Sequence, residues 1–250
     1  GGHFVLVDVG PGSWEVLDLA DLPIARVEAV LLTHFTSDYI GDLGGADFWR
    51  NKGTVKHVEF VEKPKATKDG GSFAVKNRYV SGEKTVCEEV CRITISVRPG
   101  GYLIDWTSEF TGREDFAFGD QEEMGLGLRV ATGLTVSKGT GVITNSDGLV
   151  NEAGVWGKQA DWCDYHGILD GRPVGAALFT HPDNFRRSWF HARDYGLLVA
   201  NPFGRKAFTE GDLSRVTVPP GGSLTLRYGV FLHGDVADMG AVYTRYVGRH

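Results

Sequence analysis

Two kinds of hydrophobic pattern divide the chain. Residues 3–10 (HFVLVDVG) and 27–34 (VEAVLLTH) are continuous apolar runs closed by polar residues, the signature of buried strands. The segment between them, beginning WEVLDLADL, predicts a short helix and a loop, so the opening fifty residues read strand, helix, strand. A polar, Gly-rich loop follows, FTSDYIGDLGG at 35–45. A Lys-rich stretch over 51–71 then ends in the turn signal KDGG. Beyond it the period shortens to two. SFAVKNRYV, KTVCEEVCRITISVR, YLIDWTSEF, GLGLRVATGLTV, GAALFTH, YGLLVANPF, SRVTVPP and SLTLRYGVFLH all predict strands, several of them half-buried and antiparallel. GREDFAFGDQEEMG (112–125) and NFRRSWFHARDYG (184–196) read as long polar-aromatic loops. PPGG at 219–222 predicts a hairpin turn, and VADMGAVYTRYVGRH a terminal helix. The reading is mainly β: an antiparallel β-sandwich over 51–250, preceded by a short α/β segment over 1–50.

Composition narrows the classes of function. Of 250 residues 42% are hydrophobic, enough for a substantial core, and the 35 glycines suit many tight turns. A formal charge of −6 argues against a nucleic-acid partner, which needs a basic face. No apolar run approaches the ~20 residues of a membrane span, and no signal peptide is visible, so the expectation is a soluble protein with no membrane partner, in a compartment the sequence does not assign. Cys87, Cys91 and Cys163 form no disulfide framework or zinc pattern and are expected to be ordinary thiols. If CEEVC is a strand, Cys87 and Cys91 face the same way.

Candidate chemistry gathers in the polar-aromatic stretches. Asp120, Glu122 and Glu123 lie just before a predicted strand. Adjacent carboxylates repel, and a buried one holds a raised pKa suited to acid/base work; a solvated acidic loop, or pairing with Arg113 and Arg129, is the alternative. DWCDYHG supplies Asp164 and His166, and HPDNFRRSWFHARDYG supplies His181, Asn184, Trp189, His191 and Arg193. If WFHAR is extended, Trp189, His191 and Arg193 share one face. Trp beside His and Arg makes a sugar platform, because the indole stacks on a pyranose while the polar groups bond its hydroxyls. The assignment is therefore His191 and Glu123 as acid/base residues, and Trp189, Arg193, Asn184, His181, His166 and Asp164 as contacts to a sugar or other small ligand. Buried, hydrogen-bonded loop anchors are the alternative. Convergence of His166, His181 and His191 with an acid such as Glu123 would suit iron, although the spacing carries no recognised signature.

Two resemblances accompany these motifs. VDVGPGS followed by VLLTHFTSDYIGDLGG resembles the metallo-β-lactamase-fold hydrolases over residues 3–50, with His34 and Asp38 at two metal-ligand positions. Thr36 and Tyr39 stand where that motif has histidines, which disfavours zinc and implies an inactive hydrolase fragment. Residues 75–235 resemble a bacterial family labelled methane oxygenase PmoA-like, of unassigned activity, through GREDFAFGDQEEMGLGLRVAT, VWGKQADWCDYHG, HPDNFRRSWFHARDYGLLVANPFG and LRYGVFLHG. By analogy the sandwich is of the large supersandwich type seen in mutarotase-like proteins. Three functions follow: a carbohydrate-active or carbohydrate-binding protein, a metal-dependent hydrolase, or a non-catalytic interaction domain. The sequence assigns no cofactor.

Overall fold

Strands β1 (Phe4–Val7) and β2 (Val27–Leu31) pair in parallel. The computed structural model describes the backbone of these two strands together with residues 42–48, 50, 52–236 and 238–248. Four long strands then run as an antiparallel meander: β3 (Thr54–Thr67), β4 (Gly70–Ser81), β5 (Lys84–Arg98) and β6 (Gly101–Thr111). After β7 (Phe116–Phe118), β8 (Leu126–Arg129) and β9 (Val142–Asn145) comes a short helix, α1 (Asn151–Val155). Strands β10 (Lys158–Gln159), β11 (Trp162–Leu169), β12 (Arg172–Thr180), β13 (Trp189–Ala192) and β14 (Leu197–Asn201) lead to α2 (Arg205–Phe208). The chain closes with β15 (Val216–Val218), β16 (Ser223–His233) and α3 (Met239–Val247).

These strands build an antiparallel β-sandwich. The larger sheet has eight strands in the order β3-β4-β5-β6-β16-β12-β11-β9, and the smaller has four, β10-β13-β14-β8. Period-two alternation decides which side chains meet between them. Leu126, Leu128, Phe190, Ala192, Leu198 and Ala200 of the small sheet share one core with Ile104, Phe110, Tyr165, Leu178 and Val230 of the large one. Over the outer face of the large sheet, α3 lays Tyr246 against Leu103, Ala177, Phe179 and Phe231. Strand β12 is thus covered on both sides, which explains its unbroken apolar run. Residues 42–48 also join the sandwich: Gly119 N–H donates to Asp42 O at 2.8 Å, Gly44 N–H to Ala117 O at 2.8 Å, and Leu43 and Phe48 lie in the main core.

Three local expectations change. The Lys-rich segment is the edge strand β3, nearly all of it exposed. With neither face buried it has no apolar alternation to read, and its lysines, Pro64 and three register shifts are the devices that blunt an edge against further pairing. Both stretches read as loops contain a short strand, β7 and β13. The PPGG turn, closed by Gly222 N–H to Pro219 O at 2.9 Å, does not make a hairpin. It passes from β15, which pairs with β7, to β16, which pairs with β6 and β12.

Gly125 fixes the entry to β8. Its φ is +108°, and a Cβ there would lie 2.1 Å from Ala200 O, the carbonyl on the neighbouring strand. Gly125→Ala is expected to cost about 2 kcal/mol, through left-handed backbone strain and the forced separation of β8 from β14, measured by urea unfolding.

The three cysteines are free and buried. Among the described residues no helix is long and apolar enough to cross a membrane.

Candidate functional site

Strand β13 sets the floor of the site. Phe190 and Ala192 point into the core, so Trp189 and His191 project from the opposite, outer face of the small sheet. His191 is 1% exposed. Two loops reach over it, held by the buried Asn201 and the half-buried Asp120. The Asn201 amide donates to Gln121 O at 2.7 Å and Glu122 O at 3.0 Å, while its Oδ1 accepts from Phe203 and Gly204 N–H at 2.8 and 2.9 Å. Asp120 accepts from Lys206 and Ala207 at the start of α2 and from Ser214 N–H. Glu122 and Glu123 are thereby placed against His191, and α2 presents Phe208 to the same ring.

The ligand atoms of Glu122, Glu123 and His191 all lie within 4.8 Å of one another. His191 Nδ1 is 3.2 Å from Glu122 Oε2, out of line for a hydrogen bond, and has no hydrogen-bond partner among the described residues. Burial, helped by the positive charge of Arg193, depresses the His191 pKa to about 4, so the imidazole is neutral at pH 7. Burial and the neighbouring Glu123 raise that of Glu122. Trp156 and Phe208, both half-buried, stand 6.5 and 6.1 Å from the His191 ring and 5.4 Å from each other. Arg193 Nε lies 3.0 Å from Glu152 Oε1. Glu152 and Asp194 exchange hydrogen bonds between side chain and backbone, which clamps α1 to the end of β13. A neutral imidazole, two mutually repelling carboxylates, a guanidinium and two aromatic faces can bind a polyhydroxylated molecule and exchange protons with it. Among the described residues, Glu122, Glu123 and His191 are the group with the geometry to hold a cation.

The remaining sequence-assigned residues lie elsewhere. Trp189 shares the face of His191 but is 7% exposed, with the Arg186 guanidinium 5.6 Å above its ring. The aromatic surface beside His191 comes instead from Trp156 and Phe208. The Asn184 amide is engaged with main chain, donating to Arg227 O at 2.9 Å and accepting from Arg227 N–H at 2.7 Å. His166 and Asp164 sit on β11 with side chains opposite to Cys163 and Tyr165, which enter the core; they face the outer side of the large sheet. There Asp164 joins His233 Nε2 at 2.9 Å and His166 Nδ1 at 3.0 Å. His181 accepts from Asp183 N–H at 3.1 Å and meets Tyr246 of α3 edge-on. The convergence of His166, His181 and His191 with Glu123 is therefore corrected: His166 and His191 lie on opposite outer faces, with the core of the sandwich between them. His34 and Asp38 lie outside the described residues. Sequence reasoning singled out Asp120, Glu122 and Glu123 as an acidic group without assigning Asp120 or Glu122 a role, and it missed Trp156, Phe208 and Asn201, because none of these three sits on the periodic face that singled out β13.

Fold and site together define an antiparallel β-sandwich protein with a His–carboxylate cluster on the outer face of its smaller sheet. The chain belongs to the family of unknown function DUF6807, whose model matches residues 35–245. This replaces both resemblances drawn from the motifs: the matching family is described only as one of unknown function, and neither a PmoA-like nor a metallo-β-lactamase relative is found. No curated protein matches the sequence. Similar solved structures include a galactose mutarotase-like protein from Lactobacillus casei, with 10% identity, TM-score 0.35, and coverage of 69% of this chain and 73% of that one. A beta-arabinopyranosidase is similar at 9% identity and TM-score 0.38, over 72% of this chain and 31% of that one. A 4-alpha-glucanotransferase from Thermococcus litoralis is similar at 10% identity and TM-score 0.28, over 68% of this chain; the chain spans 22% of that protein.

Proposed function

We propose that this protein binds, and acts on, a carbohydrate at the His191 cluster. One observation carries the reading: a fully buried, neutral histidine held within 4.8 Å of two carboxylates on a braced floor, beside two half-buried aromatic rings. In this reading Trp156 and Phe208 stack on the apolar face of a sugar ring, and Arg193 bonds its hydroxyls. His191 and Glu123 exchange protons with the reacting hydroxyl, His191 as base because its imidazole is unprotonated at neutral pH.

The test is a thermal-shift screen against monosaccharides and their methyl glycosides, followed by calorimetry on each hit. At least one sugar is expected to raise the melting temperature. Glu123→Gln is expected to weaken its binding about tenfold, the loss of one charge-assisted hydrogen bond, and His191→Ala to abolish turnover while sugar is still bound. If no sugar shifts the melting temperature, or the variants bind and turn over as the wild type does, the reading is wrong and an interaction domain takes its place.

A further inference from the structure

The acidic turn before β8 and the histidine of β13 bring together lone pairs that no protein group uses. His191 is 1% exposed, and its Nδ1 is a buried atom with no hydrogen-bond partner among the described residues. Buried polar nitrogens are almost always paired, so this one points to a partner outside the chain. It faces Glu122 Oε2 at 3.2 Å without hydrogen-bond geometry. Glu123 brings a second carboxylate, and the three ligand atoms lie within 4.8 Å of one another. Among the described residues no lysine or arginine is ion-paired with either carboxylate; Arg193, whose charge reaches Glu122, is taken by Glu152 at 3.0 Å.

These separations suit a metal ion. Zinc bonds to an imidazole nitrogen or a carboxylate oxygen are about 2.1 Å long. Two such bonds to atoms 3.2 Å apart meet at about 100°, between the octahedral and tetrahedral angles. An ion so placed lies off the line joining nitrogen and oxygen, where a shared proton would not. Glu123 is half-buried, so a rotation of its side chain brings its oxygen the rest of the way. The base of the site is fixed, because Asn201 holds the Glu122 carbonyl at 3.0 Å and His191 sits on a strand paired to β14. One imidazole and two carboxylates supply three protein ligands, and the charge of the two carboxylates balances a divalent cation. A nitrogen in the set favours a borderline ion over calcium or magnesium, which take oxygen ligands and more of them.

We propose that Glu122, Glu123 and His191 form a site for a divalent transition-metal ion of the zinc class, with its fourth position open to water. Trp156 and Phe208 stand beside the ring and thin the water around the ion, which strengthens its attraction to the carboxylates. The lone pair given to the ion is the one that proton transfer requires of His191. Bound metal and turnover therefore exclude one another, and the ion switches the site off. That second step rests on the carbohydrate reading above; the binding of the ion does not.

The experiment titrates the chelator-treated full chain with zinc chloride by calorimetry, with calcium and magnesium chloride as controls. Cobalt(II) chloride, read by its visible absorption, reports the coordination geometry. Zinc is expected to bind saturably and to raise the melting temperature, with calcium and magnesium at least about tenfold weaker. Glu123→Gln is expected to weaken zinc by about tenfold or more, and His191→Ala to abolish the cobalt bands. His166→Ala, on the opposite face of the sandwich, is expected to change neither. Because Glu123 is half-buried, Glu123→Gln keeps the chain folded and decides the matter even where His191→Ala does not fold. Any sugar found to be turned over is then assayed in saturating zinc, where the rate is expected to fall at least about tenfold. Zinc binding without a sugar hit supports the metal site and sinks only the carbohydrate reading. The inference is overturned if zinc does not bind, if Glu123→Gln binds it as tightly as the wild type, or if saturating zinc leaves sugar turnover unchanged.

Discussion

Asn201→Ala is expected to lower stability by about 4 kcal/mol and to abolish ligand binding at the His191 site, the largest effect of any single substitution there. Asn201 is fully buried at the end of β14, and its amide makes four hydrogen bonds to main chain. Two go to the loop that carries Glu122, and two to the turn that leads into α2 and Phe208. Truncation leaves the carbonyls of residues 121 and 122 and the N–H groups of 203 and 204 without their partner, and each buried unsatisfied group costs about 1–3 kcal/mol. Asn201→Asp keeps the acceptor for the two N–H groups but sets a carboxylate against two carbonyl oxygens, so it is expected to be nearly as damaging. Urea unfolding measures the stability and calorimetry the binding. A loss below about 1 kcal/mol would show that the loops are held by something other than this amide.

The second large effect is at Asp164, on the other side of the molecule. His233 Nδ1 lies 2.7 Å from Gly234 O, and its Nε2 lies 2.9 Å from Asp164 Oδ1. A carbonyl can only accept, and an ionised carboxylate can only accept, so both ring nitrogens carry protons and the ring is an imidazolium. Gly175 makes the room, since a Cβ there would meet the His233 ring at 2.4 Å. Although burial opposes both charges, the bonds to His166 and His233 hold the Asp164 carboxyl below its ordinary 3.8, and the bond to Asp164 holds His233 above its ordinary 6.5. The His233 contribution to stability is therefore full below pH 6.5 and is lost as pH rises through its raised folded value. The Asp164 contribution is full above pH 3.8 and is lost as pH falls through its lowered folded value. Asp164→Asn is expected to cost about 3–4 kcal/mol near pH 5.5, because it strands a buried imidazolium, and to flatten the rise and fall of stability around that window. Denaturant titrations between pH 3 and pH 9 measure both. A variant that keeps the wild-type pH dependence would show that this pair does not supply it.

How much of this could be read in advance depends on what each residue's neighbours in sequence reveal. Strand β16 was legible end to end, because SLTLRYGVFLH alternates and PPGG marks its start. The shared face of Trp189 and His191 followed from a spacing of two, once WFHA was taken as extended. Glu89, buried on β5, was also within reach: the argument that puts Cys87 and Cys91 on one face puts the residue midway between them there too, and a carboxyl on an inward stripe is a signal. Trp156 and Phe208 gave no such sign. They lie 35 and 17 residues from His191 in sequence, Trp156 just past the end of α1 and Phe208 at the end of α2, two short helices whose placement is set by Glu152 pairing with Asp194 and by Asp120 capping α2.

By itself the sequence determined the class of fold, because side chains on a strand alternate with a fixed period of two and burial of one face writes that period into the chain. The same period put Trp189 and His191 on one face of β13. Which histidine meets which carboxylate was decided only in three dimensions. His166 and His191 are 25 residues apart in sequence, yet they occupy opposite faces of a sandwich about 10 Å thick between its sheets, because their strands belong to different sheets. Strand order and sheet membership depend on long-range pairing, whose energy is shared across the whole core and leaves no pattern in any one segment.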